Sequence, residues 1–139
     1  MTSNIPSPTE TAPAATDLQV SRLLKGGLAD WQVNAVRALV LNNLEERFST
    51  TRLAAVTRLS RGHFCKTFRK TCGITPKKYV LRIKIEAARR LLMRGGVTLS
   101  EIALQCGFSD QSHFSRAFRS MTGHPPLQWL KKNAPQRSR

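Results

Sequence analysis

The sequence predicts an all-α protein of seven helices, in which two helix-turn-helix units are joined by a long linker helix. Three observations support this fold class. Apolar residues recur at the spacing of amphipathic helices, and no segment sustains the period-two alternation of a strand. Capping residues precede most of these segments, and glycines follow several of them. One stretch of the chain also occurs twice, 50 positions apart.

The predicted ordered domain covers residues 29–132 and lies between two tails. Residues 1–28 are rich in Pro, Thr, Ser and Ala and lack the features of a signal peptide, so we expect a disordered tail there. Residues 133–139 should form a flexible basic tail. The first helix, in DWQVNAVRALVLNNLEERF, carries an apolar stripe over residues 36–48 and has Asp30 as its expected N-cap.

The first helix-turn-helix unit is predicted over about residues 50–73. Its first helix should be capped by Ser49 or Thr50. Ser60 should cap its second helix, and Gly73 should end that helix in the left-handed conformation.

The linker helix is predicted over about residues 76–94, with Pro76 in its first turn and Gly95 and Gly96 after its end. The second unit follows over about residues 98–123.

Thr98 and Glu101 form the pattern of a capping box at the start of this second unit. Ser109 or Asp110 should cap the second helix of the unit, and Gly123 should end it.

The two units repeat each other residue by residue. The identical positions include two phenylalanines, the glycine after the helix and a later proline: His63/His113, Phe64/Phe114, Phe68/Phe118, Arg69/Arg119, Gly73/Gly123 and Pro76/Pro126. Pro126 opens a last short helix that carries Trp129. Tyr79 and Trp129 occupy equivalent places, and we expect both rings to pack in the core rather than to stack on bases.

The second helix of each unit has one apolar face and one polar, basic face. The apolar faces, expected to point inward, are Phe64, Thr67, Phe68 and Thr71 in the first unit, and Phe114, Ala117, Phe118 and Met121 in the second. A single basic face is as readily explained by solvation. Its repetition behind a capped helix, in both units, favours a binding function.

The net charge of +15 is confined to the repeated part of the chain. Residues 1–48 carry four basic and five acidic groups, whereas residues 49–139 carry nineteen basic groups and three acidic ones. This imbalance predicts a polyanionic partner, namely nucleic acid, with an anionic membrane surface as the weaker alternative. No apolar run approaches the ~20 residues of a membrane span.

The sequence lacks the residue patterns that catalysis, cofactor binding and metal binding require. There is no carboxylate pair, no nucleophile beside a base and no phosphate-binding glycine loop, so we expect neither catalysis nor a cofactor. His63, Cys65 and Cys72 lie on one predicted helix without the spacing of metal ligands, so we expect no metal site. Three cysteines without a signal peptide fit a reducing cytoplasm.

The length of the linker helix suggests how two such units would use DNA. The eighteen residues 76–93 at ~1.5 Å each span roughly 27 Å, and successive major grooves are ~34 Å apart. The linker would therefore set two recognition helices in adjacent major grooves on one face of the DNA. One chain would then do what a helix-turn-helix dimer usually does, so we expect a monomer.

These features resemble the AraC/XylS family of bacterial transcription regulators over about residues 30–131. The resemblance is carried by LSEIALQCGFSDQSHFSRAFRSMTGHPPLQW in the second unit and by YVLRIKIEAARRLL in the linker helix. In the linker, the family pattern is matched by Arg82, Ile83, Ala87, Leu91 and Leu92. The resemblance implies a seven-helix DNA-binding domain, promoter binding and, most often, activation through contact with RNA polymerase.

The resemblance also implies which side chains touch DNA. The base-reading positions would be Arg61, Gly62, Cys65 and Lys66 in the first unit, and Gln111, Ser112, His113 and Arg116 in the second. Phosphate contacts would come from Arg69, Lys70 and Arg119. Such a regulator would act in the bacterial cytoplasm, on the nucleoid. Few residues precede the domain, so the chain resembles the stand-alone members of the family.

The first unit departs from this pattern at three positions. Arg58 stands in the turn where the second unit has Gly107, and a left-handed turn there would cost on the order of 1 kcal/mol. Gly62 offers no side chain, and Cys65 is a weak hydrogen-bond donor. We therefore expect the first unit mainly to grip phosphates.

The second unit should carry more of the sequence specificity, because Gln111 suits adenine and Arg116 suits guanine. The alternative function is that of a non-specific, basic nucleic-acid-binding protein. A passive role for Cys65 is favoured over that of a redox switch.

Overall fold

The structure is a computed structural model that describes residues 27–134. These residues form seven α-helices and no strand: α1 Asp30–Leu41, α2 Thr50–Thr57, α3 Arg61–Cys72, α4 Pro76–Arg94, α5 Leu99–Gln105, α6 Gln111–Thr122 and α7 Pro126–Asn133. The predicted all-α fold of seven helices is thereby confirmed. Most of the two predicted tails, residues 1–28 and 133–139, lies outside the described residues.

The described chain divides into two compact units. The first contains residues 27–40 and 48–79, and the second contains residues 41–47 and 80–134. Each unit holds one helix-turn-helix, formed by α2 and α3 in the first and by α5 and α6 in the second. The helix α4 runs from the end of the first unit into the second and has 19 residues.

The core of the first unit is built where α1, α2 and α3 meet. Its fully buried side chains are Val36, Val40, Leu53, Phe64 and Phe68 on the apolar stripes of these helices, together with Leu28, which precedes α1. Hydrogen bonds connect the chain segments at the border of this core. The Leu28 backbone N–H donates to Thr71 Oγ1 at 2.7 Å, and Gln32 Nε2 donates to the Thr57 carbonyl at 3.0 Å.

The core of the second unit joins α4 to the second helix-turn-helix and to α7. Its buried members are Ile85, Ala87, Ala88, Leu92, Ile102, Ala103, Cys106, Phe108, Phe114, Phe118 and Trp129. The Trp129 ring meets Phe118 edge-on at 5.6 Å between centroids, and in the first unit Tyr79 meets Phe68 in the same way at 5.1 Å. The prediction of core packing is confirmed for Trp129, which is buried, whereas Tyr79 is half-buried and packs against the buried Phe68 at the edge of the core.

The first helix is shorter than its apolar stripe predicts. It ends at Leu41 rather than continuing to Phe48, and a turn follows in which the Glu46 N–H donates to the Asn43 carbonyl at 3.0 Å. Two consecutive asparagines favour such a turn, since their side chains compete for backbone hydrogen bonds. Leu44, which continues the stripe, instead packs against the core of the second unit.

The start of α1 also differs from the prediction. Asp30 is the first helical residue and not the N-cap. The Ala29 carbonyl accepts from the N–H groups of Gln32 and Val33, and the Ala29 N–H donates to Gln32 Oε1 at 2.9 Å. Asp30 retains a favourable position, because a carboxylate in the first turn faces the positive end of the helix dipole.

Candidate nucleic-acid interface

The second helix of each unit begins at a side-chain cap. Ser60 Oγ accepts from the His63 N–H at 3.3 Å at the start of α3, and Asp110 Oδ1 accepts from the His113 N–H at 2.8 Å at the start of α6. These caps satisfy backbone donors that have no partner within the helix. Both predicted caps are confirmed, with Asp110 selected over Ser109.

Both helices end at a glycine in the left-handed conformation. Gly73 has φ 79° and Gly123 has φ 92°, and their N–H groups donate to the carbonyls of Arg69 and Arg119 at 2.9 and 2.8 Å. Each helix therefore has 12 residues, between a side-chain N-cap and a left-handed glycine at its C-terminal end. The capping and ending residues fix which side chains occupy the exposed first turns.

The turns between the paired helices share one backbone geometry. Arg58 has φ 64° and Gly107 has φ 79°, and Arg58 is the one non-glycine residue with positive φ among residues 27–134. In both turns the next N–H reaches back five residues, from Leu59 to the Ala54 carbonyl and from Phe108 to that of Ala103. The second unit thus has the residue this turn favours, and the first unit holds Arg58 in a strained conformation.

Gly107 is required by packing as well as by its backbone angle. A Cβ at this position would lie 2.7 Å from the Leu44 carbonyl oxygen and would collide with Lys84 Nζ. Lys84 donates from Nζ to the carbonyls of Leu44 and Glu46 at 2.7 and 2.6 Å. The ammonium therefore ties the turn after α1 to α4, directly beside the turn between α5 and α6.

Burial shifts the pKa values of two neighbouring groups at this place. Lys84 is 6 % exposed, and desolvation lowers the pKa of its ammonium. Cys106 is fully buried, and desolvation raises the pKa of its thiol to about 11. Each group partly offsets the shift of the other, because an ammonium and a thiolate attract. The Cys106 thiol is thus kept neutral and unreactive.

The inward faces of α3 and α6 are alike. Phe64, Phe68, Phe114 and Phe118 are all fully buried, and the two rings within each helix lie 5.3 and 5.6 Å apart. Thr67 is buried, whereas Ala117, Thr71 and Met121 are half-buried. The predicted inward faces are confirmed. Because these rings fill the cores, the opposite faces of both helices are turned to solvent.

The predicted base-reading residues lie on those solvent faces. Exposed are Arg61, Gly62 and Lys66 on α3, and Gln111, Ser112, His113 and Arg116 on α6, while Cys65 is half-buried. The predicted phosphate contacts Arg69, Lys70 and Arg119 are also exposed. The structure brings each unit's set to one helix face. Their contact with DNA stays a prediction.

A shallow cavity of about 330 Å³ lies beside α3. It is lined by Gly62, His63, Lys66, Thr67 and Lys70. Nothing lies within 4 Å of the place where a Gly62 side chain would begin, so the first unit has open space at this position. The face of α3 therefore offers long basic side chains around a gap.

Two polar contacts distinguish the face of α6. Ser100 Oγ, in the first turn of α5, donates to Gln111 Oε1 at 3.0 Å. Ser109 approaches His113 Nδ1 with its backbone N at 3.4 Å and its hydroxyl at 3.2 Å. The Phe108 ring supports His113 edge-on, at 5.3 Å between ring centroids. These contacts restrict the side chains that the second unit presents.

The described residues offer neither a metal site nor a membrane span. Residues 27–134 contain no group of three His, Cys, Asp or Glu side chains placed to hold a metal ion. Within the same range, none of the helices combines the length and the apolar character needed to cross a membrane.

Comparison with known proteins identifies the domain. A family model described as a helix-turn-helix domain matches residues 53–132. A transcriptional regulator from Chromobacterium violaceum, described as AraC-type, superposes with a TM-score of 0.68 at 29% identity, over 76% of this chain and 95% of that one. The chain belongs to the AraC/XylS family of helix-turn-helix regulators. Its matched domain is a DNA-binding domain and not a catalytic one.

Curated AraC-type relatives are longer than this chain. The probable transcriptional regulator LumQ of Photobacterium leiognathi is 38% identical over 87 residues, which are 63% of this chain and 35% of LumQ. The transcriptional activator RhaR of Salmonella dublin is 34% identical over 88 residues, which are 63% of this chain and 31% of RhaR. The chain thus spans about a third of the length of these relatives.

One solved AraC-type relative contains DNA. The DNA-binding domain of AdpA, a global transcriptional factor, was crystallised with a target DNA. This chain superposes on it with a TM-score of 0.67 at 28% identity, over 76% of this chain and 98% of that one.

Sequence reasoning missed Lys84 and Ser100. Lys84 lies between the buried residues Ile83 and Ile85. Because lysine is rarely buried without a partner, its place in this apolar stretch could have indicated a structural role. Ser100 contacts a residue 11 positions away, across the turn between two helices. Such a contact depends on how α5 and α6 cross, which helix periodicity does not predict.

Proposed function

We propose that this AraC-type chain binds double-stranded promoter DNA sequence-specifically, with α3 and α6 each lying in a major groove. The observation that carries the proposal is the pair of matching helices, each of which buries two phenylalanines and exposes a polar, basic face. Short residues on such a face let the backbone approach DNA, and long basic ones reach base edges and phosphates. The nineteen basic groups of residues 49–139 supply the attraction to phosphate.

The proposal divides the exposed side chains by their place on the helix. Base reading is assigned to the early turns, where a recognition helix meets base edges: Arg61, Gly62, Cys65 and Lys66 on α3, and Gln111, Ser112, His113 and Arg116 on α6. Phosphate contacts are assigned to later turns, with Arg69, Lys70 and Arg119. The second unit supplies most of the specificity, since Gly62 and Cys65 offer little to a base edge.

The regulatory role is proposed as activation of transcription through contact with RNA polymerase. The support is family membership and the relative RhaR, which is named a transcriptional activator. Because one chain carries two recognition helices, a monomer suffices to occupy two adjacent major grooves, and its target need not be palindromic. The place of action would be the bacterial cytoplasm.

A non-specific, basic nucleic-acid-binding protein is the competing proposal. It is favoured by the gap that Gly62 leaves on α3, since a position without a side chain makes no hydrogen bond to a base edge. Selection of bound molecules from a random duplex pool at near-physiological salt separates the two. Sequence-specific binding yields one asymmetric motif with two conserved patches, whereas the competing proposal yields no motif and allows equal binding of RNA.

A matched pair of variants tests where specificity resides. Arg116→Ala removes a proposed base contact and should weaken binding to the selected duplex about tenfold or more. Arg90→Ala removes the same charge from α4, at a groove shared with Trp129, whose ring packs against the inward side of α6. It should change affinity less than about threefold. Equal losses for both variants would contradict the assignment.

A further inference from the structure

The side chain of Gln111 is held by a partner on the neighbouring helix. Ser100 Oγ donates to Gln111 Oε1 at 3.0 Å, and both residues are exposed at the start of their helices. An adenine pair with glutamine needs this oxygen, because Oε1 must accept from adenine N6 while Nε2 donates to N7. The Ser100 hydroxyl occupies one of the two acceptor sites of that oxygen, so adenine N6 would have to share Oε1 with it, whereas both Nε2 hydrogens remain for the partner.

The side chain of His113 is likewise positioned by a serine, Ser109. The Ser109 backbone N–H points to His113 Nδ1 at 3.4 Å, and a backbone N–H can only donate. Nδ1 is therefore the acceptor of the ring, and the neutral imidazole carries its hydrogen on Nε2. The Phe108 ring, at 82° to the imidazole, fixes its orientation. His113 thus offers a donor to its surroundings.

Arg116 completes the series one turn further along α6. Its guanidinium is exposed and carries only donors. The long side chains of the first turns, Gln111, His113 and Arg116, therefore all present hydrogen-bond donors. Ser112, between them, can donate as well as accept.

We propose that α6 selects a half-site of guanine and thymine edges, and that Ser100 and Ser109 are the positioning residues that set this preference. In the major groove guanine presents the acceptors N7 and O6 and thymine presents O4, whereas cytosine presents a donor and adenine one donor and one acceptor. The inference rests on the proposed function and replaces the expectation, drawn from residue type, that Gln111 reads adenine.

The test is a base-by-base substitution of the selected duplex, with affinity measured by competition. The position read by Gln111 is identified as the one where Gln111→Ala abolishes discrimination. In the wild-type protein this position should favour guanine or thymine over adenine and cytosine by about fivefold or more. A wild-type preference for adenine or cytosine would overturn the proposal.

Three variants separate positioning from folding. Ser100→Ala should let adenine bind as well as guanine or thymine at that position, a change in ratio of about fivefold, because Oε1 is freed. Gln111→Glu presents only acceptors and should shift the preference to cytosine. Ser120→Ala, a change at an exposed serine late in α6, should leave all ratios unchanged.

The remaining outcomes distinguish a failure of this inference from a failure of the proposed function. An unchanged base ratio in Ser100→Ala would overturn the positioning role while leaving sequence-specific binding intact. A motif in which no position responds to Gln111→Ala would do the same. Selection that returns no motif would overturn the proposed function, and the inference would fall with it.

Discussion

Arg58 is the residue that distinguishes the turn of the first unit from the turn of the second, although the two turns share one backbone geometry. It adopts φ 64° in the turn where the second unit has Gly107 at φ 79°. The left-handed region brings Cβ too close to the following carbonyl oxygen, so a residue with a side chain is strained there and glycine is not. The sequence alignment of the units predicted this strain, and the backbone geometry confirms it.

Replacing Arg58 by glycine should therefore stabilise the protein. We expect Arg58→Gly to raise the free energy of unfolding by about 0.5–1 kcal/mol, as measured by denaturant titration. Arg61→Gly removes the same charge three residues later, from the first turn of α3, and should destabilise by a similar amount. Equal effects of the two changes would show that the turn is not strained.

The buried thiol of Cys106 should make stability depend on pH in alkaline solution. Its pKa is raised from 9.0 to about 11, so between these values the unfolded chain loses the proton and the folded protein keeps it. The contribution is complete below pH 9 and is lost as pH rises through 11. Lys84 opposes this trend, since its lowered pKa makes the unfolded chain bind more protons below 10.5.

Comparison with Cys106→Ala isolates the contribution of the thiol. Between pH 8 and pH 10.5 the wild-type protein should lose more stability than the variant, approaching a difference of about 2–3 kcal/mol near pH 11. Denaturant titrations at each pH measure the difference in unfolding free energy between the two proteins. The difference at pH 8 gives the pH-independent cost of the cavity left by Cys106→Ala and is subtracted from the others. Parallel curves for the two proteins would contradict a raised thiol pKa.

At the scale of elements, the sequence predicted where helices start and stop better than where the first one ends. The caps Ser60, Asp110 and Thr98 act through residues three positions away, and their bonds are all present. Local patterns suffice for such features. At the end of α1, the two local asparagines act together with Lys84, 40 positions beyond Leu44, whose ammonium donates to the Leu44 and Glu46 carbonyls in the following turn.

The same limit applies to the candidate site. The exposed faces of α3 and α6 followed from helix periodicity and from the repeat, because both depend on nearby residues. The orientation of Gln111 did not, because Ser100 reaches it across the turn between two helices. Residue pattern predicted which positions face solvent on α3 and α6, but the hydrogen-bond partners of their side chains needed the tertiary structure.

The close packing of α4 against the second helix-turn-helix predicts a large effect of Gly107→Ala. The methyl group meets the Leu44 carbonyl and the Lys84 ammonium, in addition to the strain of φ 79°. We expect a loss of about 2–4 kcal/mol in unfolding free energy. Gly123→Ala, where φ is 92° and the space is open, should cost only about 1 kcal/mol. Similar losses at both positions would contradict the role given to Lys84.

At the scale of the whole molecule, charge dominates the expected binding. Residues 49–139 carry sixteen more basic than acidic groups. If about 6–10 phosphates are neutralised, affinity for the selected duplex should fall about a thousandfold or more between ~50 and ~200 mM salt. Titrations at four salt concentrations give the slope of log affinity against log salt. A flat response would contradict binding to the DNA backbone.

The proposed function requires one chain to contact DNA with two separate helices. Hydroxyl-radical footprinting on the selected duplex tests it most directly, with the wild-type protein, Lys66→Ala in α3 and Arg116→Ala in α6. Two recognition helices in adjacent major grooves should give two protected patches about 10 base pairs apart. Lys66→Ala should weaken one patch and Arg116→Ala the other. A single patch, or two patches that both variants weaken equally, would contradict two reading helices in one chain.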